Sequence, residues 1–411
     1  MSKVLGIIAE YNPFHNGHLY HLEQSKKQTG ANYTIAIMSG NFTQRGSTSL
    51  IDKWSKAKVA IENGIDLVIE LPVLYSISSA ENFAEGSIKL LNSLKIVDYL
   101  SFGSESNNID ILSEISDILY NEPQSYKTLL SNELSTGISY PKARENALLS
   151  YLNNKKYANI LSHPNNILGI EYLKALKKYK STIKPISISR YEVGYNDISY
   201  SGNISSSTAI RNIIKNNGFK ILKKLVPPSS YSSLIENIKL GHLIPDLSVF
   251  EKEIIYNLRK MDISEIAKLP DVSEGLEFSI KNAANSCNTL NELLNIIKSK
   301  RYTNTRIQRI LLYCLLGITK KDISISKKLQ QPYVRILGFN QKGKFLISQI
   351  AKYNPKLPLI TSVKKFVDTN SNKNLMAMLN KDIWSTNVFT IGYEHDSWNN
   401  LDYTQKIITL K

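Results

Sequence analysis

Six residues of continuous apolar or small character, Val4 to Ala9, break directly into Glu10-Tyr11-Asn12-Pro13-Phe14-His15-Asn16-Gly17-His18, after which the spacing turns helical to about Gln28. A short apolar run fits a strand buried on both faces, and a strand followed at once by a helix opens a parallel sheet. The alternation continues, with strands expected at Tyr33 to Met38, Asp66 to Leu71, Tyr99 to Phe102 and Ile183 to Ser189. Helices are expected at Asp52 to Glu62, Ser78 to Leu94 and Ser206 to Lys215. The expectation is an α/β fold, a doubly wound parallel sheet, in which ligands bind beyond the carboxyl ends of the strands.

Residues 105–180 read as a mostly helical insertion, interrupted near Gly137 and Pro141. A boundary is expected at Val226-Pro227-Pro228-Ser229-Ser230-Tyr231, dividing the chain into a sheet domain, 1–225, and a mostly helical domain, 226–411. Short β-like runs lie around Gly338 in the second part. Two cysteines, Cys287 and Cys314, exclude a disulfide scaffold and an all-cysteine zinc cage, and both read as core thiols. No apolar run reaches the ~18 residues of a membrane helix, and the N-terminus lacks a signal-peptide pattern, so a cytoplasmic protein without membrane contact is expected. The oligomeric state stays open, with a monomer favoured.

Charge is distributed unequally. Lys and Arg number 51 against 35 Asp and Glu. Residues 1–220 carry 23 basic and 19 acidic side chains, whereas 281–360 carry 15 and 2. Such a field suits a polyanion, because neutralising phosphates releases counterions, although a lysine-rich solvated surface would look the same.

The turn after the first strand carries the sharpest chemistry. Gly17 allows a ligand close to the backbone, and a helix start offers unpaired N–H groups to phosphate. His15 and His18, one turn apart, would donate hydrogen bonds to oxygens that gain charge as an α-phosphate is attacked. Far along the chain, Ser205-Ser206-Ser207-Thr208-Ala209-Ile210-Arg211 offers a second cradle in which hydroxyls, helix N–H groups and a guanidinium combine.

These two stretches resemble the HxGH box and the second, SSTxxR-like box of the nucleotidyltransferase superfamily, whose members have a Rossmann-like sheet and cleave ATP between its α- and β-phosphates. The resemblance is closer to one family within it. GIIAEYNPFHNGHLYH, MSGNFTQRG, DLVIELP, SFGSE, HPNNILG at His163 to Gly169, KRYTNTRIQR at Lys300 to Arg309 and RILGFNQKG at Arg335 to Gly343 follow, in order and over nearly the whole chain, the tRNA(Met) cytidine acetate ligases. Ser162-His163-Pro164 departs from the more usual Ser-Pro.

The resemblance implies an enzyme that activates acetate with ATP, with Mg2+ accompanying the nucleotide, to acetyl-adenylate. It then transfers the acetyl group to N4 of the wobble cytidine of elongator tRNA(Met). It places ATP contacts on Ile7, Ile8, Ala9, Glu10, Tyr11, Asn12, Pro13, Phe14, His15, Asn16, Gly17, His18, Leu19 and Tyr20, on Gly103, on Asn165 or Asn166, on Arg190 with Tyr191, and on Ser206, Thr208 and Arg211. His15, His18 and Arg211 are the expected catalytic groups, and no protein metal site is expected. Gln44 and Arg45 could reach acetate, Lys53 and Lys56 could help with phosphates or be solvated, and Glu10 and Asp66 could hold magnesium or act as a base. For tRNA, Arg301, Tyr302, Arg306 and Arg309 combine guanidiniums with a stacking ring, and Lys342 and Lys344 form a second basic turn. The rival readings are an adenylyltransferase making a coenzyme or dinucleotide from a phosphorylated metabolite, and a non-catalytic RNA-binding protein.

Overall fold

The computed structural model describes residues 2–157, 160–190, 205–216, 218–395 and 400–410. The first half alternates as the spacing predicts. Strand β1 (Val4–Ala9) leads to α1 (Asn16–Thr29), β2 (Tyr33–Ser39) to α2 (Lys53–Glu62), and β3 (Leu67–Leu71) to α3 (Val73–Ser76) and α4 (Ala80–Ser93). After β4 (Tyr99–Ser104) come α5 (Ile109–Asn121), α6 (Gln124–Ser135), α7 (Tyr140–Leu152) and α8 (Pro164–Lys178), the expected helical insertion. Next is β5 (Lys184–Ser189), and then α9 (Ser207–Lys215) and α10 (Phe219–Leu225).

The helix ends follow from local chemistry. The Asp52 carboxylate accepts from the N–H groups of Trp54 and Ser55 and starts α2, while Gly30, in the left-handed region at φ 64°, ends α1.

The second half is a run of helices: α11 (Pro228–Lys239), α12 (Glu251–Lys260), α13 (Ile263–Ala267), α14 (Leu276–Ser286), α15 (Leu290–Ile297), α16 (Asn304–Leu316) and α17 (Lys320–Lys328). It then returns to the sheet through β6 (Val334–Phe339), α18 (Gln341–Tyr353), β7 (Leu359–Ile360), α19 (Val363–Thr369), α20 (Lys373–Ile391), α21 (Leu401–Thr404) and β8 (Ile408–Thr409).

One sheet results, ordered β5-β4-β1-β2-β3-β6-β7 with β8 paired to β6. The pairs from β5 to β3 are parallel, as expected, but β6 runs antiparallel to β3, with a register irregularity between Val68 and Ile69. The main hydrophobic cluster crosses this seam, joining Ile69 and Leu71 of β3 to Ile336 of β6 and Leu379 of α20. Strand order reverses between β1 and β4, so the crevice of a doubly wound sheet opens above these two strands.

Where β3 meets β6, four charged side chains are buried together. Lys53 Nζ lies 2.8 Å from Glu70 Oε1 and 2.8 Å from Asp402 Oδ1. Arg335 pairs with the same two carboxylates. Charges withheld from water survive only when paired in this way. The four come from α2, β3, β6 and α21, so the N-terminal and C-terminal halves share one ionic cluster.

Candidate active site

The turn after β1 places its two histidines at the carboxyl edge of the sheet. His15 occupies the N-cap of α1, and its Nδ1 accepts from the Gly17 N–H at 3.1 Å. His18 Nδ1 accepts from the His15 N–H at 3.2 Å. With both Nδ1 atoms accepting, each neutral ring carries its proton on Nε2. His15 Nε2 lies 3.1 Å from Ser207 Oγ, at the start of α9. The two rings stack at 3.7 Å between centroids, and His18 meets the edge of Tyr11. Burial, with Arg190 adding to it, pushes His15 down to about 3. His18 is pushed well below its ordinary value, first by burial and then by His15 and Arg190. Both are neutral hydrogen-bond donors near pH 7, held in place by backbone.

The second cradle closes over them. Ser206 Oγ accepts from the Ala209 N–H and caps α9, and Arg211 Nη1 donates to Ser47 Oγ at 3.2 Å. The β2–α2 loop is thereby tied to α9. Arg190, Arg211 and Arg45 all have lowered pKa values from burial, opposed by Glu105 at Arg190 and by Glu10 at the other two. Three guanidiniums around one cleft, those of Arg45 and Arg211 half-buried, favour a polyanionic ligand.

Most of the expected nucleotide contacts line this cleft: Ile7, Ile8, Ala9, Glu10, Tyr11, Asn12, His15, Gly17, His18, Tyr20, Gly103, Asn165, Arg190, Ser206, Thr208 and Arg211. A Cβ at Gly103 would come within 3.2 Å of Arg190 Cγ, so the missing side chain lets that arginine lie across the strand end. Of the two asparagines, Asn165 faces the cleft, with Nδ2 bonded to Glu105. Asn166 is fully buried, and its Oδ1 accepts from Ser104 and from the Glu105 and Ser106 N–H groups, shaping the turn after β4.

Pro13, Phe14, Asn16 and Leu19 are not among the lining residues. The Phe14 carbonyl accepts from Ser230 Oγ, and Asn16 Nδ2 donates to the Lys224 carbonyl, so both brace the turn against the chain beyond residue 220. Tyr191 lies outside the described residues.

Several expectations need correction. Lys53 and Lys56 are neither solvated nor directed at a ligand. Lys53 belongs to the ionic cluster, and Lys56 Nζ donates to the carbonyls of Glu10, Ser39 and Gly40 and to Ser49 Oγ, under the ends of β1 and β2. Asp66 sits at the amino edge, accepting from Thr34 and Asn340, far from any crevice ligand. Glu10 is at the site, with Oε1 accepting from the Gln44 N–H at 2.7 Å. His163 is exposed at the N-cap of α8 and makes no capping bond. Among the described residues no group of three or more His, Cys, Asp or Glu side chains could hold a metal ion. Cys287 and Cys314 are buried, and burial pushes Cys314 up to about 12.

The cleft also contains residues the sequence did not single out: His21, Thr43, Ser47, Phe83, Phe102, Leu168 and Tyr172. His21, Thr43, Phe102 and Leu168 fall within the stretches that carry the resemblance, and His21 also extends the one-turn spacing of His15 and His18.

The basic candidates separate. Arg301, Tyr302 and Arg306 stand at the start of α16, which abuts the cleft's β2–α2 loop through Gly46, and the Arg306 guanidinium lies 5.0 Å above the Tyr302 ring. Arg309 is buried, with Nε 2.8 Å from Asp271. Lys342 and Lys344 are exposed at the start of α18, which packs on Asp66 at the amino edge of β3, so a strand length or more separates them from the cleft.

The geometry agrees with what the chain resembles. The family described as HIGH nucleotidyl transferase matches residues 2–404. The tRNA(Met) cytidine acetate ligase of Halothermothrix orenii is 45% identical over 96% of both chains. That of Thermoanaerobacter sp. is 45% identical over 99% of this chain and 100% of its own. Thermotoga maritima TmcAL superposes with a TM-score of 0.95 in its apo form, at 33% identity over 99% of both chains, and with 0.92 when bound to alpha-thio ATP, at 32% identity. By its sequence, its sheet and the histidine turn at its crevice, the chain belongs to the HIGH nucleotidyl transferases and, within them, to the tRNA(Met) cytidine acetate ligases.

Proposed function

We propose that this protein acetylates N4 of the wobble cytidine of elongator tRNA(Met), using ATP and acetate, in two steps at the one cleft. Acetate is a poor acyl donor because attack on its carboxylate would have to expel an oxide. In the first step an acetate oxygen attacks the α-phosphorus, the bond to the β-phosphate oxygen breaks, and pyrophosphate leaves with the electron pair. In the second the cytidine amine attacks the acyl carbon, AMP leaves with the C–O pair, and the amine proton passes to solvent.

The observation that carries this reading is the pair of neutral, stacked histidines whose tautomers the backbone fixes, facing the serine and arginine cradle of α9. Neutral Nε2–H donors need not lose a proton and stay aimed at the oxygens that gain charge. Arg211 supplies the formal charge. A magnesium ion would shield the phosphates as part of the bound nucleotide. In the second step the protein's task is to position the base, and an anticodon base leaves its stack at little cost. The basic start of α16, beside the cleft, is the proposed path of the tRNA.

Nucleoside mass analysis of tRNA incubated with the protein, ATP and labelled acetate tests the whole scheme. Labelled acetylcytidine confined to elongator tRNA(Met) is the expected result. No label in any tRNA, with pyrophosphate released on adding a phosphorylated metabolite, would favour the adenylyltransferase.

A further inference from the structure

One wall of the cleft is built differently from the rest. Phe83 of α4, Phe102 of β4, and Leu168 and Tyr172 of α8 face it together. Leu168 and Tyr172 are one turn apart and so share a face of α8. The Phe102 and Tyr172 rings lie 5.9 Å apart, tilted at 56°. Gly169 fixes that contact, since a Cβ there would come within 2.5 Å of the Phe102 ring. Phe83, Phe102 and Tyr172 are buried, so their positions are set by the core and not by a ligand.

The rim of this wall is charged. Burial raises the Tyr172 pKa, and the Glu10 carboxylate adds to it, which places the phenol in the field of Glu10. The Gln44 N–H is bonded to Glu10, and Gln44 Nε2 donates to the Ser78 carbonyl just before α4. The loop bearing Arg45 is thereby fixed between Glu10 and the start of α4. A small carboxylate entering here would turn its charged end from Glu10 toward Arg45 and the phosphates, leaving its alkyl end against the rings.

Resting on the ligase reading above, we propose that Phe83, Leu168 and Tyr172, backed by Phe102, form the pocket for the alkyl end of the acid, and that they select acetate by size. Adding one methylene in an apolar pocket changes discrimination by roughly 10- to 200-fold. Rigid aromatic walls make the upper part of that range attainable, because they cannot relax around a longer chain.

The test is acid-dependent ATP–pyrophosphate exchange by the full chain without tRNA, run with formate, acetate, propionate and butyrate. The readout is the propionate-to-acetate ratio of kcat/KM within each protein, so general losses of activity cancel. Leu168→Ala and Phe83→Leu should each raise the ratio at least ~10-fold, and Leu168→Phe should lower it. An unchanged ratio with a raised KM for ATP would assign the wall to adenine, and an unchanged ratio with a raised KM for tRNA, measured separately in the complete acetylation reaction, would assign it to cytosine; either overturns the pocket and leaves the ligase reading standing. Absence of exchange with every acid in the unaltered protein would remove the ligase reading and the pocket with it.

Discussion

His15 and His18 are held as neutral donors by their neighbours, and this has consequences for activity and for stability. Removing the His18 ring takes away one donor to the transferring phosphoryl group, together with the acceptor for the His15 N–H and the ring stacked on His15. His18→Ala should therefore lower ATP–pyrophosphate exchange about 100-fold or more, while the lost cap costs only about 1 kcal/mol of stability; exchange at the normal rate would remove His18 from the chemistry. The same burial makes His15 sensitive to acid. Its folded pKa of about 3 lies below the ordinary 6.5, so the unfolded chain binds its proton first as pH falls. This penalty is absent above pH 6.5 and grows by about 1.4 kcal/mol per pH unit below it, toward pH 3. His15→Asn should thus show a flatter decline of stability between pH 6.5 and 4 than the native protein, measured by denaturant titration at each pH; parallel curves would mean His15 is solvated. The sequence exposed these two residues because their chemistry is local, a turn, a glycine and a helix start. It did not expose Lys53 or Lys56, whose burial depends on β6, α21 and the ends of β1 and β2, none of which the spacing of α2 encodes.

The strands and helices of the first half were legible almost to the residue, because period and caps are written into each segment. How the elements meet was not. Gly46 shows the difference, since the sequence makes it a flexible loop glycine. In the fold it sits at φ 78°, where a Cβ would come within 2.5 Å of the Arg309 nitrogen and 2.6 Å of the Gln308 carbonyl carbon. Neither backbone atom can yield cheaply, so Gly46→Ala must push the β2–α2 loop off α16. That loop carries Gln44 and Ser47, which bond Glu10 and Arg211. The substitution should cost about 2 kcal/mol in stability and raise the KM for ATP several-fold; a raised KM without destabilisation would refute the packing argument. The same helix corrects the reading of its charges. Arg309 holds Asp271 from a buried position, so Arg309→Ala should lower the unfolding temperature, whereas loss of the exposed Arg301 should weaken tRNA binding and leave that temperature unchanged.

At the scale of the molecule, the division near residue 226 is crossed by backbone pairing and by charge. Strand β6 completes the sheet some 260 residues after β3, and no periodicity reports a partner so distant, since register between remote strands is set by packing. The charge pattern likewise gave Lys342 and Lys344 the same weight as Arg306, although they lie at opposite edges of the sheet. The seam is held by Lys53, Glu70, Arg335 and Asp402, two cations and two carboxylates that stay close to neutral as a set. Removing Asp402 leaves both cations buried with one carboxylate between them, and breaking a buried pair in this way costs about 3–5 kcal/mol. Asp402→Ala should therefore destabilise the protein by that amount, although Asp402 lies within ten residues of the C-terminal Lys411. Because Glu70 belongs to β3 and Arg335 to β6, the loss should not stay at the C-terminus. Hydrogen exchange should rise together in peptides covering 67–71 and 334–339, while the α5–α7 insertion keeps its protection. Faster exchange confined to residues 400–410 would mean that the sheet closes without this cluster and that the two halves are stabilised independently.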